Sequence, residues 1–415
     1  MIKWDNKRIA FLCHPYHRGG VTRWMADAAV CAAKMGFEVY FITVKPVKKF
    51  ISAGNRETMC ELIDKNAAGV KLVSGKVNFT FEFGTEAYRS NVYSRLVQKN
   101  VPEGTPVIVS DDMAVWSAAG AIADKYPMIG VLHSDDTVYY ELGGKYYAQM
   151  SLCACVSNRI KKTVMQKYPQ MNPQILHTIP CGIILPEFAP TTKKNDLIRL
   201  IFIGRITEYQ KRAGDLILIC ALLHRQGIAF HLNIAGNSPG SEKDFAQQFE
   251  EAGVGDFVSF HGWLSQQQIQ PLLNQSDVML LPSNFEGMPL VMMEALASGC
   301  AFTGTRVSGV EDYENAPGTE DCLSVYTIGD IEDAVSKIRK LAAIPLQTRQ
   351  LAARKLAEAE FSMQACLDKY FSAIAAMHGI APVALKVRLS AGDKIKSNAL
   401  AIARYAKMSL KTNKH

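Results

Sequence analysis

Long hydrophobic runs are missing from this sequence of 415 residues. No stretch reaches the roughly 18 consecutive apolar residues that a membrane-spanning helix requires. Residues Met1 to Arg8 are too polar for a secretory signal, so we expect a cytoplasmic protein. Charged residues make up 20% of the chain and hydrophobic residues 48%, a balance typical of folded globular domains rather than of disordered chains.

Paired cysteine motifs are also missing. The ten cysteines are scattered, and their one close pair, Cys153 and Cys155, lies within an apolar segment. Without C-x-x-C spacing there is no sign of a zinc site, and reduced thiols are the simplest interpretation. No G-x-G-x-x-G follows the first predicted strand, which argues against a dinucleotide oxidoreductase. The net charge of +7 is modest for this length, and we expect no nucleic-acid partner.

Alternating strands and helices are what the chain does contain. Residues 8–13 form an apolar run, followed by a glycine-containing loop, an alanine-rich helix over 22–34 and a second strand over 36–43. This order predicts a βαβ unit with a parallel sheet. Further strands of the first half are predicted at 106–110, 128–133, 152–157 and 177–180.

A second βα series starts after a polar linker at 191–197. Its strands are predicted at 200–204, 230–236, 258–262, 278–281 and 301–304. We therefore predict an α/β protein with two Rossmann-like domains, at 1–190 and 198–360, whose parallel sheets face an interdomain cleft. A terminal helix at 361–380 is expected to cross back to the first domain, and residues 381–415 to form a basic amphipathic tail.

Two carboxylates, Glu286 and Glu294, stand eight positions apart across a turn and the start of a helix. Glu286 follows the strand at 278–281, where open α/β sheets bind ligands. The following residues 290–297 predict a helix whose first amides favour an anion. The alternative is a capping role for Glu286 and a solvated position for Glu294.

The second half resembles the GT-B retaining glycosyltransferases, in particular the large family 4 (glycosyl transferases group 1). The resemblance is carried by segments 203–211, 234–236, 260–262, 276–283 and 286–299, and in the first half by 19–23 and 178–182. It implies a nucleotide-diphosphate sugar, such as a UDP-sugar, as donor substrate, and no required cofactor or metal. Departures include Arg212, which stands where a glycine commonly follows the lysine.

The resemblance also implies roles for single residues. Arg205 and Lys211 would stabilise the leaving diphosphate, a task that suits paired cations. Glu286 would contact sugar hydroxyls and Glu294 the ribose. The rest of the donor site would comprise Gly19, Gly20, Gly204, Gly236, Gly262, Trp263, Gly287, Met288, Pro289 and Leu290.

Acceptor-side residues are fewer. His133, at the end of a predicted strand, matches the family's acceptor-side histidine, and the alternative is a satisfied strand-end histidine. The acid pairs Asp111-Asp112 and Asp135-Asp136 are not D-x-D metal motifs, and we interpret them as loop or helix-capping acids. Asp112 is a candidate for the acceptor site as well.

The function implied is transfer of a sugar to a glycan or lipid-linked glycan, as in polysaccharide or lipopolysaccharide synthesis. Front-side attack is the usual assignment for the family, and double displacement through two carboxylates is the alternative. A nonhydrolysing sugar-nucleotide epimerase and an inactive scaffold of the same fold are the rival interpretations. Retention of Arg205, Lys211, Glu286 and Glu294 argues against the scaffold.

A basic amphipathic pattern ends the chain. If residues 394–410 are helical, one face carries apolar side chains and another carries cations. The apolar residues are Ile395, Ala399, Ile402, Ala406 and Leu410, and the basic ones are Arg404, Lys407, Lys411 and Lys414. Such helices bind anionic bilayers, so residues 394–414 predict peripheral contact with the inner face of the cytoplasmic membrane. A solvated tail and a helix packed on the domain are the alternatives.

Overall fold

The computed structural model describes most of the chain and divides it into two compact units. The described residues are 7–16, 19–46, 58–66, 69–190, 197–237, 242–377, 384 and 391–412. The first unit comprises Met1–Val156, Ile160–Ile179 and Leu367–His415, and the second comprises Ser157–Arg159 and Pro180–Cys366. The sequence placed the boundary at 190, in front of a linker of which residues 191–196 lie outside the described part. In the structure the change to the second unit comes earlier, between Ile179 and Pro180.

A parallel sheet forms the centre of the first unit. Its strands are β1 (Arg8–Leu12), β2 (Glu38–Lys45), β3 (Val70–Lys76), β4 (Val107–Val109), β5 (Met128–Leu132), β6 (Met150–Cys155) and β7 (Leu176–Thr178). They lie in the order β3-β2-β1-β4-β5-β6-β7, and every recorded pairing is parallel. Strands β4 and β5 are buried at every position, as expected where helices cover both faces of a parallel sheet.

Helices connect these strands. They are α1 (Gly20–Lys34), α2 (Met59–Asn66), α3 (Phe79–Phe83), α4 (Glu86–Asn100), α5 (Met113–Gly120), α6 (Thr137–Tyr146) and α7 (Asn158–Lys167). The predicted α/β alternation is confirmed. The strand that sequence reasoning missed is β3, which lies at the sheet edge and mixes Lys71, Ser74 and Lys76 with its apolar residues.

The second unit repeats the architecture. Its strands are β8 (Ile198–Ile203), β9 (Phe230–Ala235), β10 (Val258–Phe260), β11 (Val278–Leu281), β12 (Ala301–Thr305) and β13 (Leu323–Tyr326), in the order β10-β9-β8-β11-β12-β13. Its helices are α8 (Glu208–Lys211), α9 (Gly214–Arg225), α10 (Glu242–Glu251), α11 (Gln266–Gln275), α12 (Leu290–Ala297), α13 (Ile331–Ala343) and α14 (Leu346–Leu356). Strand β11 and helix α12 have the predicted bounds, whereas β13 was not predicted.

The core of the second unit forms where α9 and α13 cover one face of its sheet. Phe202 and Leu232 from the strands pack with Leu216 of α9 and Ile338 of α13, and all four side chains are fully buried. Burial of a large apolar side chain contributes about 2 kcal/mol, so this cluster holds the strand ends in fixed positions. The loops that follow those strands therefore begin at fixed positions.

Two further helices, α15 (Met363–Ala375) and α16 (Ala391–Thr412), complete the described chain. The predicted terminal helix at 361–380 corresponds to α15, whose residues from Leu367 onward belong to the first unit. There Phe371 stacks on Phe37 with ring centroids 3.9 Å apart. Tyr370 lies 5.8 Å from the Trp24 ring, and its own side chain is buried.

The basic tail forms α16, which packs on α3 and α4 through a narrow face of small residues. Ser397 and Ala401 are fully buried. The Ser397 hydroxyl oxygen accepts a hydrogen bond from the Thr85 amide at 3.1 Å. Arg404 donates to the carbonyl oxygens of Phe83 and Gly84 at 3.2 and 3.3 Å. The alternative of a helix packed on the domain therefore describes this contact.

The predicted apolar face of α16 points away from that contact. Ile395 is 70% exposed and Ile402 is 59% exposed, and Ala399 and Ala406 on the same face are exposed as well. The side chains of Leu410, Lys411 and Lys414 lie outside the described residues. Within the part of the chain that is described, no helix combines the length and apolar character needed to cross a bilayer.

Candidate functional site

Strands β8 and β11 lie side by side in the middle of the second sheet, and their connections run outward in opposite directions along it. Ligands of open parallel sheets bind beyond the carboxyl ends of the strands at such a point. Residues 204–212 follow β8 and residues 282–290 follow β11. The two predicted groups of donor-site residues are therefore neighbours in space.

Three predicted glycines meet at this edge. The Gly204 amide donates to the Ala235 carbonyl at 3.0 Å, and the Gly236 amide donates to the Gly262 carbonyl at 2.8 Å. A Cβ atom at Gly236 would lie 1.7 Å from the Gly204 carbonyl oxygen, so a side chain is excluded there. The loops after β8, β9 and β10 thus approach each other at glycines, where no side chain separates the backbones. Trp263 follows Gly262 and is 71% exposed.

Lys211 and Glu286 form a buried ion pair. The Lys211 Nζ atom lies 2.6 Å from Glu286 Oε1, and the two residues are only 9% and 7% exposed. The Ser283 hydroxyl donates to the same carboxylate oxygen at 2.7 Å. Both donors use Oε1, and in the described part of the chain no hydrogen bond engages the second carboxylate oxygen of Glu286.

Ser283 was not among the predicted site residues. It is fully buried, and its carbonyl oxygen accepts a hydrogen bond from the Thr305 hydroxyl at 2.5 Å. The signal available in the sequence was its place at the end of the strand motif, three residues before Glu286. Only the folded loop shows that its side chain turns back to that carboxylate.

Arg205 lies at the surface beside this pair. Its guanidinium donates to the Gln210 side-chain oxygen at 3.1 Å. Asn284 joins the two loops, because its amide donates to the Gln210 carbonyl at 2.7 Å and its side chain to the Tyr209 carbonyl at 2.9 Å. Two loops joined by hydrogen bonds therefore carry one exposed cation, Arg205, and one buried cation, Lys211.

Arg212, which stands where the resemblance predicts a glycine, has an unusual backbone conformation. Its φ is +45°, in the left-handed region that non-glycine residues rarely adopt. The guanidinium compensates by donating twice to Asp215, at 2.8 and 3.0 Å, and Asp215 is 3% exposed. The contact with Asp215 therefore stabilises Arg212 in this conformation at the end of α8.

The segment from Gly287 to Glu294 forms the turn and the start of α12, as predicted. The Gly287 carbonyl accepts from the Ser308 hydroxyl at 3.1 Å. Met288 is buried, and Pro289 precedes Leu290, the first residue of the helix, without a side-chain cap for the first amides. Glu294 lies in the second turn of α12 and is half-buried.

Gly19, Gly20 and His133 lie at the carboxyl edge of the first sheet. Gly19 precedes α1 with φ +120°, a value that favours glycine, and Gly20 opens the helix. His133 follows β5 and is 8% exposed, with its ring 4.8 Å from the Trp24 ring. Burial lowers the pKa of His133 to about 4, so its imidazole is neutral at neutral pH.

One acid of each pair caps a helix, as the capping interpretation predicts. Asp112 accepts from the Ala114 and Val115 amides at 2.7 and 3.3 Å at the start of α5. Asp136 accepts from the Val138 and Tyr139 amides at 2.9 and 3.3 Å at the start of α6. Asp111 differs, because its Oδ2 lies 3.5 Å from His14 Nε2. Over the described residues, no three potential metal ligands come together.

The two units thus define a class of protein: paired Rossmann-like domains with a cation and carboxylate site at the switch point of the second sheet. Comparison with known families gives a more specific result. Residues 198–343 match the family model of glycosyl transferases group 1. The second unit therefore carries a domain of the glycosyl transferases group 1 family, and the predicted resemblance is confirmed.

Curated relatives are similar over part of the chain. One is WcaL of Escherichia coli, a provisionally assigned colanic acid biosynthesis glycosyltransferase, which is 29% identical over 197 residues, covering 44% of this chain and 47% of WcaL. Another is the amylovoran biosynthesis glycosyltransferase AmsK of Erwinia amylovora, 28% identical over 180 residues, covering 40% of this chain and 41% of AmsK. The chain spans less than half the length of these curated relatives.

Solved structures agree over nearly the whole chain. HepE from Anabaena, in complex with UDP, superposes with a TM-score of 0.67 at 15% identity, covering 89% of this chain and all of HepE. The lipopolysaccharide outer core galactosyltransferase WaaB superposes with a TM-score of 0.66 at 18% identity, covering 88% of this chain and 99% of WaaB. At these identities the likeness shows the fold alone, and the predicted GT-B fold is confirmed.

Proposed function

We propose that the chain transfers a hexose from a nucleotide-diphosphate sugar to a glycan or lipid-linked glycan acceptor during polysaccharide synthesis. UDP-sugars are the first donors to test, because HepE, which shares the fold, has been solved with UDP and with UDP-glucose. A biosynthetic role is supported by the names of WcaL and AmsK, which refer to colanic acid biosynthesis and amylovoran biosynthesis.

The observation that carries this proposal is the Lys211 and Glu286 pair beside Arg205. Cleavage of the anomeric bond leaves negative charge on the departing diphosphate, and preorganised cations stabilise that charge most in the transition state. The Lys211 Nζ atom lies 2.6 Å from Glu286 Oε1. The same carboxylate would also bind the sugar hydroxyls. The same contact thus fixes the phosphate-binding cation relative to the sugar.

Transfer with retention of configuration is part of the proposal. The C1–O bond to the diphosphate breaks, the acceptor oxygen bonds C1 from the same face, and the acceptor proton passes to the leaving phosphate oxygen. No separate base is needed. Glu286 is already engaged by Lys211 and Ser283, which supports a hydroxyl-binding role rather than nucleophilic attack. The anomeric configuration of the first-formed product, read by proton NMR, tests this step.

The test of the main proposal is a hydrolysis screen across UDP-, GDP- and ADP-sugars without added acceptor. We expect the wild type to consume at least one donor, and Arg205→Ala to lower kcat about 100-fold. Glu286→Ala should also abolish most turnover. Arg225→Ala, which removes an exposed arginine at the end of α9, is the matched control and should retain full activity.

Failure of the wild type to bind or consume any donor contradicts the transferase proposal. Conversion of the donor to an epimeric sugar nucleotide, without release of free sugar, would instead support the epimerase. The two results are distinguished by chromatography of the nucleotide products.

We also propose that α16 holds the protein on the cytoplasmic face of an anionic membrane. The helix is docked on the first unit by Ser397 and Ala401, so its exposed stripe has a fixed direction. Ile395 and Ile402 form that stripe, and Lys394, Lys396 and Lys407 on the same helix are exposed. Apolar insertion together with several cations is the combination that gives stable interfacial binding.

Sedimentation with vesicles tests the membrane proposal. The wild type should bind vesicles containing phosphatidylglycerol, bind pure phosphatidylcholine poorly, and lose binding as salt rises. Ile395→Asp with Ile402→Asp should abolish binding. The control is Leu218→Asp with Leu351→Asp, which changes two leucines on α9 and α14 that are 54% and 55% exposed. Equal loss in both double variants would contradict a specific role for α16.

A further inference from the structure

We propose that Ser308 is a positioning residue of the donor site, which orients the backbone amide of Met288 toward the phosphates of the nucleotide sugar. This inference rests on the proposed transferase function and adds a residue to it. Ser308 lies in the segment between β12 and β13, and its side chain is fully buried. Its hydroxyl donates to the Gly287 carbonyl at 3.1 Å, so this segment holds the turn that follows Glu286.

The hydrogen bond to the Gly287 carbonyl fixes the direction of the next amide. The peptide bond between Gly287 and Met288 is trans, and in a planar trans peptide the C=O and N–H bonds point in opposite directions. Because Ser308 lies on the carbonyl side, the Met288 N–H points to the other side of the turn. Backbone N–H groups in front of a helix are suited to bind phosphate oxygens, and Met288 stands two residues before Leu290, where α12 begins.

A second serine supports Ser308. The hydroxyl oxygens of Ser157 and Ser308 are 2.6 Å apart, and both side chains are fully buried. A serine hydroxyl has one proton, and Ser308 uses its proton at the Gly287 carbonyl, so Ser157 is the donor in the contact between the two serines. Both serines belong to the second unit. The hydrogen bonds therefore run from Ser157 through Ser308 to the Gly287 carbonyl, and each one polarises the next.

Gly309 brings the same segment against the turn. Its φ is +77°, in the region that favours glycine. A Cβ atom at Gly309 would lie 2.4 Å from the Gly287 carbonyl oxygen and 2.8 Å from Met288 Cα, so no side chain fits between the two backbones. The segment therefore fixes the turn by close packing as well as by the Ser308 hydrogen bond.

A role in stability alone would make Ser308 equivalent to other buried serines of the second unit. Ser276 is such a serine, because it is 6% exposed and its hydroxyl donates to the Leu272 carbonyl at 2.7 Å. Removal of either hydroxyl takes one hydrogen bond from a backbone carbonyl, so both changes should lower the free energy of unfolding by similar amounts. Only the change at Ser308 should also weaken anion binding.

Calorimetric titration with inorganic pyrophosphate tests this inference without requiring turnover or a known nucleobase. The probe stands for the diphosphate of the donor, and we expect it to bind the wild-type full chain. Ser308→Ala should weaken the Kd about tenfold, because the Met288 amide loses its fixed direction and with it a charge-assisted hydrogen bond. Ser157→Ala should weaken it only about twofold, since Ser308 can still donate to the Gly287 carbonyl. Ser276→Ala should bind as the wild type does.

A conservative variant keeps the test decisive if Ser308→Ala does not fold. Ser308→Cys is nearly isosteric and retains a weaker donor, so its Kd for pyrophosphate should lie between those of the wild type and Ser308→Ala. The inference is overturned if the wild type binds no pyrophosphate, or if Ser308→Ala or Ser308→Cys binds it as tightly as the wild type. It is also overturned if Ser276→Ala loses as much affinity as Ser308→Ala.

The donor-hydrolysis screen, run on the same preparations, distinguishes this inference from the proposed function. A wild type that binds pyrophosphate but consumes no donor counts against the transferase proposal and leaves the comparison of the Ser308 variants valid. If the wild type consumes a donor while Ser308→Ala binds pyrophosphate as tightly as the wild type, the inference alone fails.

Discussion

Lys211 and Glu286 are separated by 74 residues in the chain, yet the lysine nitrogen lies 2.6 Å from the glutamate oxygen in a site where both are almost fully buried. The contact follows from the pairing of β8 with β11, which places the loops after these strands side by side. Burying two charges is unfavourable unless each has its partner, so removal of either one exposes the full desolvation cost of the other.

Replacing Lys211 with methionine tests this dependence. The variant keeps the volume but leaves the Glu286 carboxylate with Ser283 as its recorded donor, and we expect the free energy of unfolding to fall by about 3 kcal/mol. Urea unfolding at neutral pH provides the measurement. The double variant Lys211→Met with Glu286→Leu should recover most of the stability, because it removes the stranded charge. If Lys211→Met is as stable as the wild type, that result contradicts the burial of the Lys211 and Glu286 pair.

Ser283→Ala should separate sugar chemistry from nucleotide binding. The serine hydroxyl donates to Glu286, and within the described residues it forms no hydrogen bond with Arg205 or Lys211, so the Kd for UDP should stay the same. Turnover of the UDP-sugar should fall about tenfold, since loss of a hydrogen bond to a charged group costs about 1.5 kcal/mol. Ser276→Ala, which removes a buried hydroxyl bonded to the Leu272 carbonyl, is the control. A rise in the UDP Kd would place Ser283 in nucleotide binding instead.

Strand β11 and helix α12 are elements of the second unit whose bounds the sequence predicts. The apolar run Val278–Leu281 is closed by Pro282, and Pro289 stands immediately before Leu290, so both elements have local start or stop signals and both were predicted at their observed bounds. Strand β3 has no such signal. Its half-exposed edge position admits lysine and serine, which blurs the pattern of a buried strand.

In the site, too, some features can be predicted from the sequence and others cannot. Arg205, Lys211 and Glu286 follow strands, so their placement at the carboxyl edge could be predicted from the chain order. The contact of Lys211 with Glu286 could not, because it depends on which strands are neighbours and on their register. Asp111 and Asp112 are indistinguishable by residue type, whereas in the structure Asp112 caps α5 and Asp111 lies beside His14.

Arg212→Gly sets two effects of known sign against each other. Glycine relieves the left-handed backbone strain, worth about 1 kcal/mol, but strands the buried Asp215 carboxylate, which costs about 3 kcal/mol. We expect a net loss of about 2 kcal/mol in urea unfolding. Asn315→Gly is the matched control, since Asn315 also has positive φ but is exposed, and its change should be at most a few tenths of a kcal/mol. A more stable Arg212→Gly variant would show that the Asp215 pair contributes little.

The pKa of His133 predicts a specific loss of stability in acid. Burial lowers its pKa from 6.5 to about 4, so between these values the unfolded chain binds a proton that the folded chain does not. Stability therefore falls as pH decreases through this window, by about 2 kcal/mol between pH 7 and pH 5 from this group. His133→Asn should lack that part of the pH dependence, although it will be less stable at neutral pH because a packed ring is lost. Urea unfolding at the two pH values measures the difference, and His224→Asn, which removes an exposed histidine, should follow the wild type. If His133→Asn loses as much stability as the wild type between the two pH values, the imidazole is not held neutral by burial beside Trp24.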